Sequence, residues 1–286
     1  MSRLKISAIS YLNTAPLMWD FEHGEAGAEF DISYTIPSAC AEALRTGTAD
    51  IGIIPSAAYA TVPDLVIIPD VAIAARRSVQ SILLVKEMPS RMPNKMPVDP
   101  LSAQSPWAQV RTLALDTSSM TSVALAKILF AKWLGGAPDY KAMAPDLDAM
   151  LGACDAALLI GDPALQVDRK RYVTLDLAEE WVARTGKSFV FAFWAIRKQA
   201  LAGRSGAALA EVFKKSRDHG LSPENLEAIA QEWAPRLRLT VEFVRAYLTQ
   251  NIHYCLDPPC LEGLELYYRL GAEIGALPQP PELRFV

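Results

Sequence analysis

The sequence predicts an α/β protein of two lobes with a cleft between them, and three observations carry that expectation. Short, almost wholly apolar runs alternate with helix-patterned stretches as far as Ile196, the pattern of strands covered on both faces. The alternation comes in two series, separated by a stretch over 88–106 with prolines at 89, 93, 97, 100 and 106. The 286 residues are also enough chain for two lobes.

In the first series, 5–9 reads as a buried strand. Ser10, Tyr11, Asn13 and Thr14 crowd its exit, and Thr14 with Pro16 signals a capped helix start. A strand end facing a helix N-terminus gathers free N–H groups and side-chain donors, which suits an anionic small molecule. A capped turn without a ligand has the same appearance when taken alone. A strand over 29–36, a helix over 39–45 ended by Gly47 and an apolar strand over 49–54 (ADIGII) follow. Pro55-Ser56 then opens a helix, which puts Ser56 at a second strand-to-helix junction. Strands over 65–74 and 81–86 complete the series, and 88–106 reads as an irregular surface loop.

In the second series, a strand over 112–115 runs through Asp116-Thr117-Ser118-Ser119 into a helix that reaches about Leu134 and closes at Gly135-Gly136. A buried strand over 154–160 turns at Gly161-Asp162-Pro163. The run over 188–196 (SFVFAFWAI) is a long strand suited to crossing between lobes. Helices then fill 207–219, 223–233, 241–251 and 261–274, and no internal repeat is visible. This division assigns 1–86 and 197–286 to the first lobe and 87–196 to the second.

Four groups of small polar residues end apolar strands: Ser10 to Thr14, Ser56, Thr117 to Ser122, and Gly161-Asp162. Ligands of open parallel sheets bind beyond the carboxyl ends of the strands, so these groups are expected to converge on one crevice. Closure of the lobes would exclude water from it.

Charge and composition narrow the function. A net charge of −4 with no dense Lys/Arg stripe argues against nucleic acid. No run approaches the roughly 18 apolar residues of a membrane span, and no export signal is read at the N-terminus; a cytoplasmic protein without membrane contact is expected. Cys40, Cys154, Cys255 and Cys260 are scattered, with no His/Cys pair to match Cys255 and Cys260, so no metal site is expected.

SYLNTAPL over 10–17, ADIGIIPS over 49–56, SVQSILLV over 78–85, LDTSSMTSVALAKILF over 115–130, LIGDPAL over 159–165 and WVARTGKSFVFAFWA over 181–195 together resemble the chorismate dehydratase family of the futalosine route to menaquinone. The resemblance covers nearly the whole chain in order; the 88–106 stretch is longer than the family's pattern and carries nothing over. It implies a two-lobed fold like the type II periplasmic binding proteins, used by a cytoplasmic enzyme. It also implies a hydro-lyase that takes chorismate to 3-(1-carboxyvinyloxy)benzoate and water, with no metal or organic cofactor.

Against that chemistry, Ser118, Ser119, Thr121 and Ser122 supply hydroxyls at a helix start for a dicarboxylate, though an ordinary N-cap accounts for part of them. Ser81, Ser56, Ser10, Tyr11, Thr117 and Gly161 complete the expected substrate contacts; Ser56 and Ser81 also suit plain capping and core packing. Asn13 matches the family's important asparagine and is the expected catalytic residue. A neutral amide is a poor base, so Asn13 is expected to orient the substrate while a carboxylate of the substrate takes the proton. Asp162 is a further expected substrate contact and the alternative base, though the reading as an ordinary turn residue before Pro163 is preferred to the base.

His23, His219 and His253 fall in none of the strand-end motifs. That disfavours the sister 1,4-dihydroxy-6-naphthoate synthase, which is expected to carry a pocket histidine. A cytoplasmic binding protein for an aromatic or cyclic carboxylate is the other alternative. Glu179 and Glu180 read as a solvated helix face, Phe189, Phe191, Phe193 and Trp194 as core with one of them free to line the pocket, and Tyr247, Tyr254, Tyr267 and Tyr268 as packing for the first lobe.

Overall fold

Ten strands build two sheets in a computed structural model that describes residues 3–88 and 107–286. The first sheet uses β1 (Leu4–Ile9), β2 (Phe30–Thr35), β3 (Ile51–Pro55) and β4 (Leu65–Ala75); the second uses β5 (Ile82–Glu87), β6 (Thr112–Asp116), β7 (Asp139–Met143), β8 (Ala156–Ile160) and β9 (Tyr172–Asp176). The last strand, β10 (Phe189–Arg197), returns to the first sheet. The spatial orders are β2-β1-β3-β10-β4 and β7-β6-β8-β5-β9. The two lobes therefore share one plan, in which the fourth strand is the one arriving from the other lobe.

That exchange corrects two expectations. Neither sheet is purely parallel: β10 runs antiparallel to β3 and β4, and β5 antiparallel to β8 and β9. The expected boundaries at 86 and 196 also move. The chain leaves the first sheet after Ala75 and joins the second at Ile82, then leaves the helix Leu177–Thr185 and rejoins the first sheet at Phe189. An apolar run shows that a strand is buried on both faces, whichever sheet it enters.

β1, β3 and β8 are the apolar runs read from the sequence, and each is buried almost throughout. β7, with four of five residues exposed, and β9 went unpredicted because edge strands carry no continuous apolar signal. The helix Ala15–His23 starts where expected with Pro16 in its first turn, but Thr14 makes no side-chain cap; a 3-10 turn, Leu12–Thr14, leads in instead. The loop expected over 88–106 lies, apart from Met88, outside the described residues.

The C-terminal helices Gly206–Gly220, Pro223–Leu237, Val241–Ala246 and Pro258–Glu273 pack with the first sheet around a core that includes Trp194, Phe213, Phe189 and Tyr267. The predicted helix over 241–251 divides: after Ala246 the backbone widens into a π-helical turn, Tyr247–Asn251. Glu180 is not solvated as expected; it is buried and paired with Arg184 at 2.7 Å.

Candidate active site

The strand ends do meet. Between the lobes lies a slot lined by Tyr11 and Asn13 after β1, Pro55 at the end of β3, Ser119 to Ser122 after β6, Gly161 after β8, and Phe191 with Ala192 on β10. Ile9, Ile73, Ile82 and Ile160 supply much of its apolar wall, and none of the described residues lining it is Lys or Arg. The slot is tight, with about 50 Å³ open to the centre of a water-sized molecule.

Hydrogen bonds across the slot hold the lobes closed. Leu12 N–H donates to Asp162 Oδ1 at 3.0 Å, Tyr11 O–H to Ser118 Oγ at 3.3 Å, Ser38 N–H to the Ser118 carbonyl at 3.1 Å, and Ala57 N–H to Thr121 Oγ1 at 3.1 Å. Gly161 has φ +64°, and a Cβ there would come within 2.5 Å of the Tyr11 ring. Only glycine lets the two surfaces meet so closely at this backbone angle.

Donor and acceptor accounting sorts the expected hydroxyls. Ser118 Oγ–H donates to Asp116 Oδ1 at 2.6 Å while accepting from Tyr11, so its proton is committed. Thr121 O–H donates to the Phe191 carbonyl at 3.0 Å, and Ser56 O–H to the Val190 carbonyl at 2.7 Å. These three fasten the walls and have no proton left for a ligand carboxylate. Ser119 Oγ accepts from Ser122 N–H at 3.2 Å in the first turn of the helix Thr121–Leu129, which leaves its own O–H available. Ser122 Oγ has no partner among the described residues, and the first turn of the helix adds N–H groups.

Ser56, Ser81, Ser118 and Asp162 stand behind or beside the lining, and two further expected contacts face solvent. Ser10 is exposed beside the Thr35 carbonyl, and Thr117 is exposed with its N–H on the Met143 carbonyl. Both sit one residue beyond the buried end of a strand, where the chain turns away. Ser81 lies fully buried just behind the wall; its carbonyl accepts Gly161 N–H at 2.8 Å and its Oγ accepts Tyr247 O–H at 2.9 Å.

The titratable groups around the slot are few. Burial pushes the Asp162 carboxyl up to about 6, against the pull of Leu12 N–H. Burial also raises Asp116, which the Ser118 and Ile160 donors partly offset. Asp116, unremarked in the sequence, takes both Ser118 N–H and O–H on one oxygen; the Asp-x-Ser spacing was its signal. Tyr247 carried no such signal.

The histidines stand apart from the slot. His23 stacks on Trp19, His219 pairs with Asp20, and His253 with Asp257. The fold does bring His253, Asp257 and Cys260 together, with their ligand atoms within 4.8 Å, a grouping the sequence spacing did not suggest. Burial opposes ionisation of Asp257, yet Cys260, His253 and Arg76 hold it at about 2, and burial pushes the Cys260 thiol up to about 12. The carboxylate is thus engaged, capping the helix Pro258–Glu273 and pairing with Arg76 and His253. Of the strand aromatics, Phe191 lines the slot, while Tyr267 and Tyr268 donate to the Thr121 and Ser56 carbonyls.

The chain is 29% identical to the chorismate dehydratase of Thermus thermophilus over 95% of its own length and 94% of that protein's. Among solved structures it resembles the protein AF1704 of Archaeoglobus fulgidus, with a TM-score of 0.68 at 15% identity over 96% of this chain and 98% of that one. It also resembles the periplasmic aliphatic sulphonate binding protein of Escherichia coli, with a TM-score of 0.65 at 16% identity over 98% and 95% of the two chains. The second likeness places the fold among the periplasmic-binding-protein-like proteins. Matched over residues 4–273 by the description of that family, the chain belongs to the menaquinone biosynthesis family.

Proposed function

We propose that this protein is a chorismate dehydratase of menaquinone biosynthesis, acting in the cytoplasm on chorismate and releasing 3-(1-carboxyvinyloxy)benzoate and water. The observation that carries the reading is the slot itself: Asn13, Ser119, Ser122 and a helix start converge on an apolar cavity between closed lobes. A cyclic dicarboxylate needs such a mixture of anion donors and apolar wall. The family and the dehydratase relative support the same assignment.

The elimination breaks the ring C–H beside the enolpyruvyl ether and then the neighbouring C–OH bond. The ring carboxylate is conjugated with the carbon that loses its proton, so charge spreads into it, and aromatisation drives expulsion of hydroxide as water. Neutral donors around that carboxylate stabilise the charge as it forms. Asn13 orients the ring or the departing hydroxyl.

The enolpyruvyl carboxylate of the substrate takes the proton. With no cation among the described residues lining the slot to neutralise it, a carboxylate sequestered there becomes more basic than in water. Asp162 serves as a lobe-closing acceptor for Leu12 N–H.

Incubating the purified protein with chorismate and no added metal tests the reading. The expected product is lighter by one water, has an aromatic spectrum, and is absent with Asn13→Ala. Unchanged chorismate with a clear thermal shift would instead make the protein a carboxylate binder.

A further inference from the structure

We propose that Tyr247 is a positioning residue, whose hydroxyl holds Ser81 just behind the wall of the slot. The proposal rests on the dehydratase reading for its consequence in turnover and on the structure alone for its placement. Tyr247 is fully buried, and its O–H donates to Ser81 Oγ at 2.9 Å across 166 residues of sequence. The Ser81 carbonyl in turn accepts Gly161 N–H at 2.8 Å, and Gly161 lines the slot. One hydroxyl therefore fixes the segment that leads from the first sheet into the second and, through it, a residue of the wall.

The donor count gives the arrangement its direction. Tyr247 spends its only proton on Ser81. Ser81 then keeps its own O–H, whose sole protein acceptor among the described residues is the Val79 carbonyl at a long 3.4 Å. A hydroxyl that already accepts a hydrogen bond is a better donor, because successive bonds polarise one another.

The backbone supports the same role. Tyr247 opens the π-helical turn Tyr247–Asn251, and Asn251 at its other end donates to the Ser78 carbonyl and Oγ at 3.1 and 3.2 Å. A single widened turn thus grips both Ser78 and Ser81, the two ends of the segment that crosses into the second lobe. Such bulges in otherwise α-helical stretches recur at functional sites.

Tyr247→Phe keeps the ring and removes only the oxygen. Turnover of chorismate by the wild type, Tyr247→Phe, Ser81→Ala and the double variant forms a cycle. The expected result is a fall in kcat of about 10- to 100-fold for Tyr247→Phe, the scale of losing orientation at a reacting centre. KM and the unfolding midpoint should change little, and the Ser81→Ala background should show a much smaller further loss. Unchanged kcat in Tyr247→Phe, or full additivity with Ser81→Ala, overturns the proposal.

A second readout does not depend on turnover. The Ser81 and Gly161 backbone amide resonances should shift in Tyr247→Phe, and the Gly161 amide should exchange faster with water; unmoved signals overturn the placement. If the wild type leaves chorismate untouched while these signals do move, the functional reading fails and the positioning stands.

Discussion

Leu12 N–H and the Asp162 carboxylate meet at 3.0 Å across 150 residues of sequence, one at the strand-exit turn of the first lobe and the other at the first turn after β8 of the second. The bond exists only while the lobes are closed. Its acceptor is also the ionisable group beside the slot whose carboxyl lies near neutrality.

That placement makes substrate affinity depend on pH. Burial raises Asp162 from 3.8 to about 6, so its ionised form is the disfavoured one in the closed protein. Its contribution to stability is fully present below about pH 4 and is lost as pH rises through about 6. An ionised Asp162 also repels a dicarboxylate, so KM for chorismate should rise across the same interval. Asp162→Asn should flatten that step and keep most of kcat. If the variant is inactive and wild-type kcat falls as the pH drops below 6, Asp162 is the base.

Gly161→Ala should separate folding from closure. The new Cβ lies in the Tyr11 ring and the backbone angle is left-handed, which costs about 1–2 kcal/mol in strain for an L-residue. Expulsion of Tyr11 also breaks its bond to Ser118. Turnover should drop by at least about tenfold, on the scale of misplaced catalytic geometry, while circular dichroism stays native. Wild-type kinetics would mean that Tyr11 is free to move.

Asp116→Asn tests the buried carboxylate behind Ser118. Its two oxygens accept Ser118 N–H, Ser118 O–H and Ile160 N–H. An amide offers only one acceptor and turns two N–H groups toward the others. Urea unfolding should show a loss of about 1–3 kcal/mol, the cost of a buried group left unsatisfied. A smaller loss would mean that Asp116 is protonated in the native protein.

Tyr254→Phe should act in the opposite direction. The Tyr254 hydroxyl is buried without a partner among the described residues, near Tyr247. Removing it should stabilise the protein by about 1 kcal/mol in the same measurement. Destabilisation would instead reveal a hydrogen bond to that oxygen.

How far the molecule could be read in advance follows from where each signal resides. The runs of β1, β3 and β8 announce strands because both faces of each are covered, and the polar residues at their ends do converge. β7 announces nothing, since its side chains face water. The shared plan of the two sheets leaves no repeat in the sequence, because the same backbone path is packed by different side chains. Hydroxyl roles were legible only as a set: Ser118 and Ser119 are adjacent and alike, and only their partners distinguish a committed proton from an available one. Tyr247 was out of reach, since its meaning depends on a partner 166 residues away.

The absence of Lys and Arg from the described residues lining the slot bears on how its ligand arrives and departs. A basic mouth draws anions in from several ångströms and loses that advantage as salt rises. This one neither steers nor traps. A doubly charged ligand should reach it by unaided diffusion at a rate nearly indifferent to ionic strength. The flat product, bearing the same two charges, meets no cation to detain it, and reopening of the lobes alone governs its release.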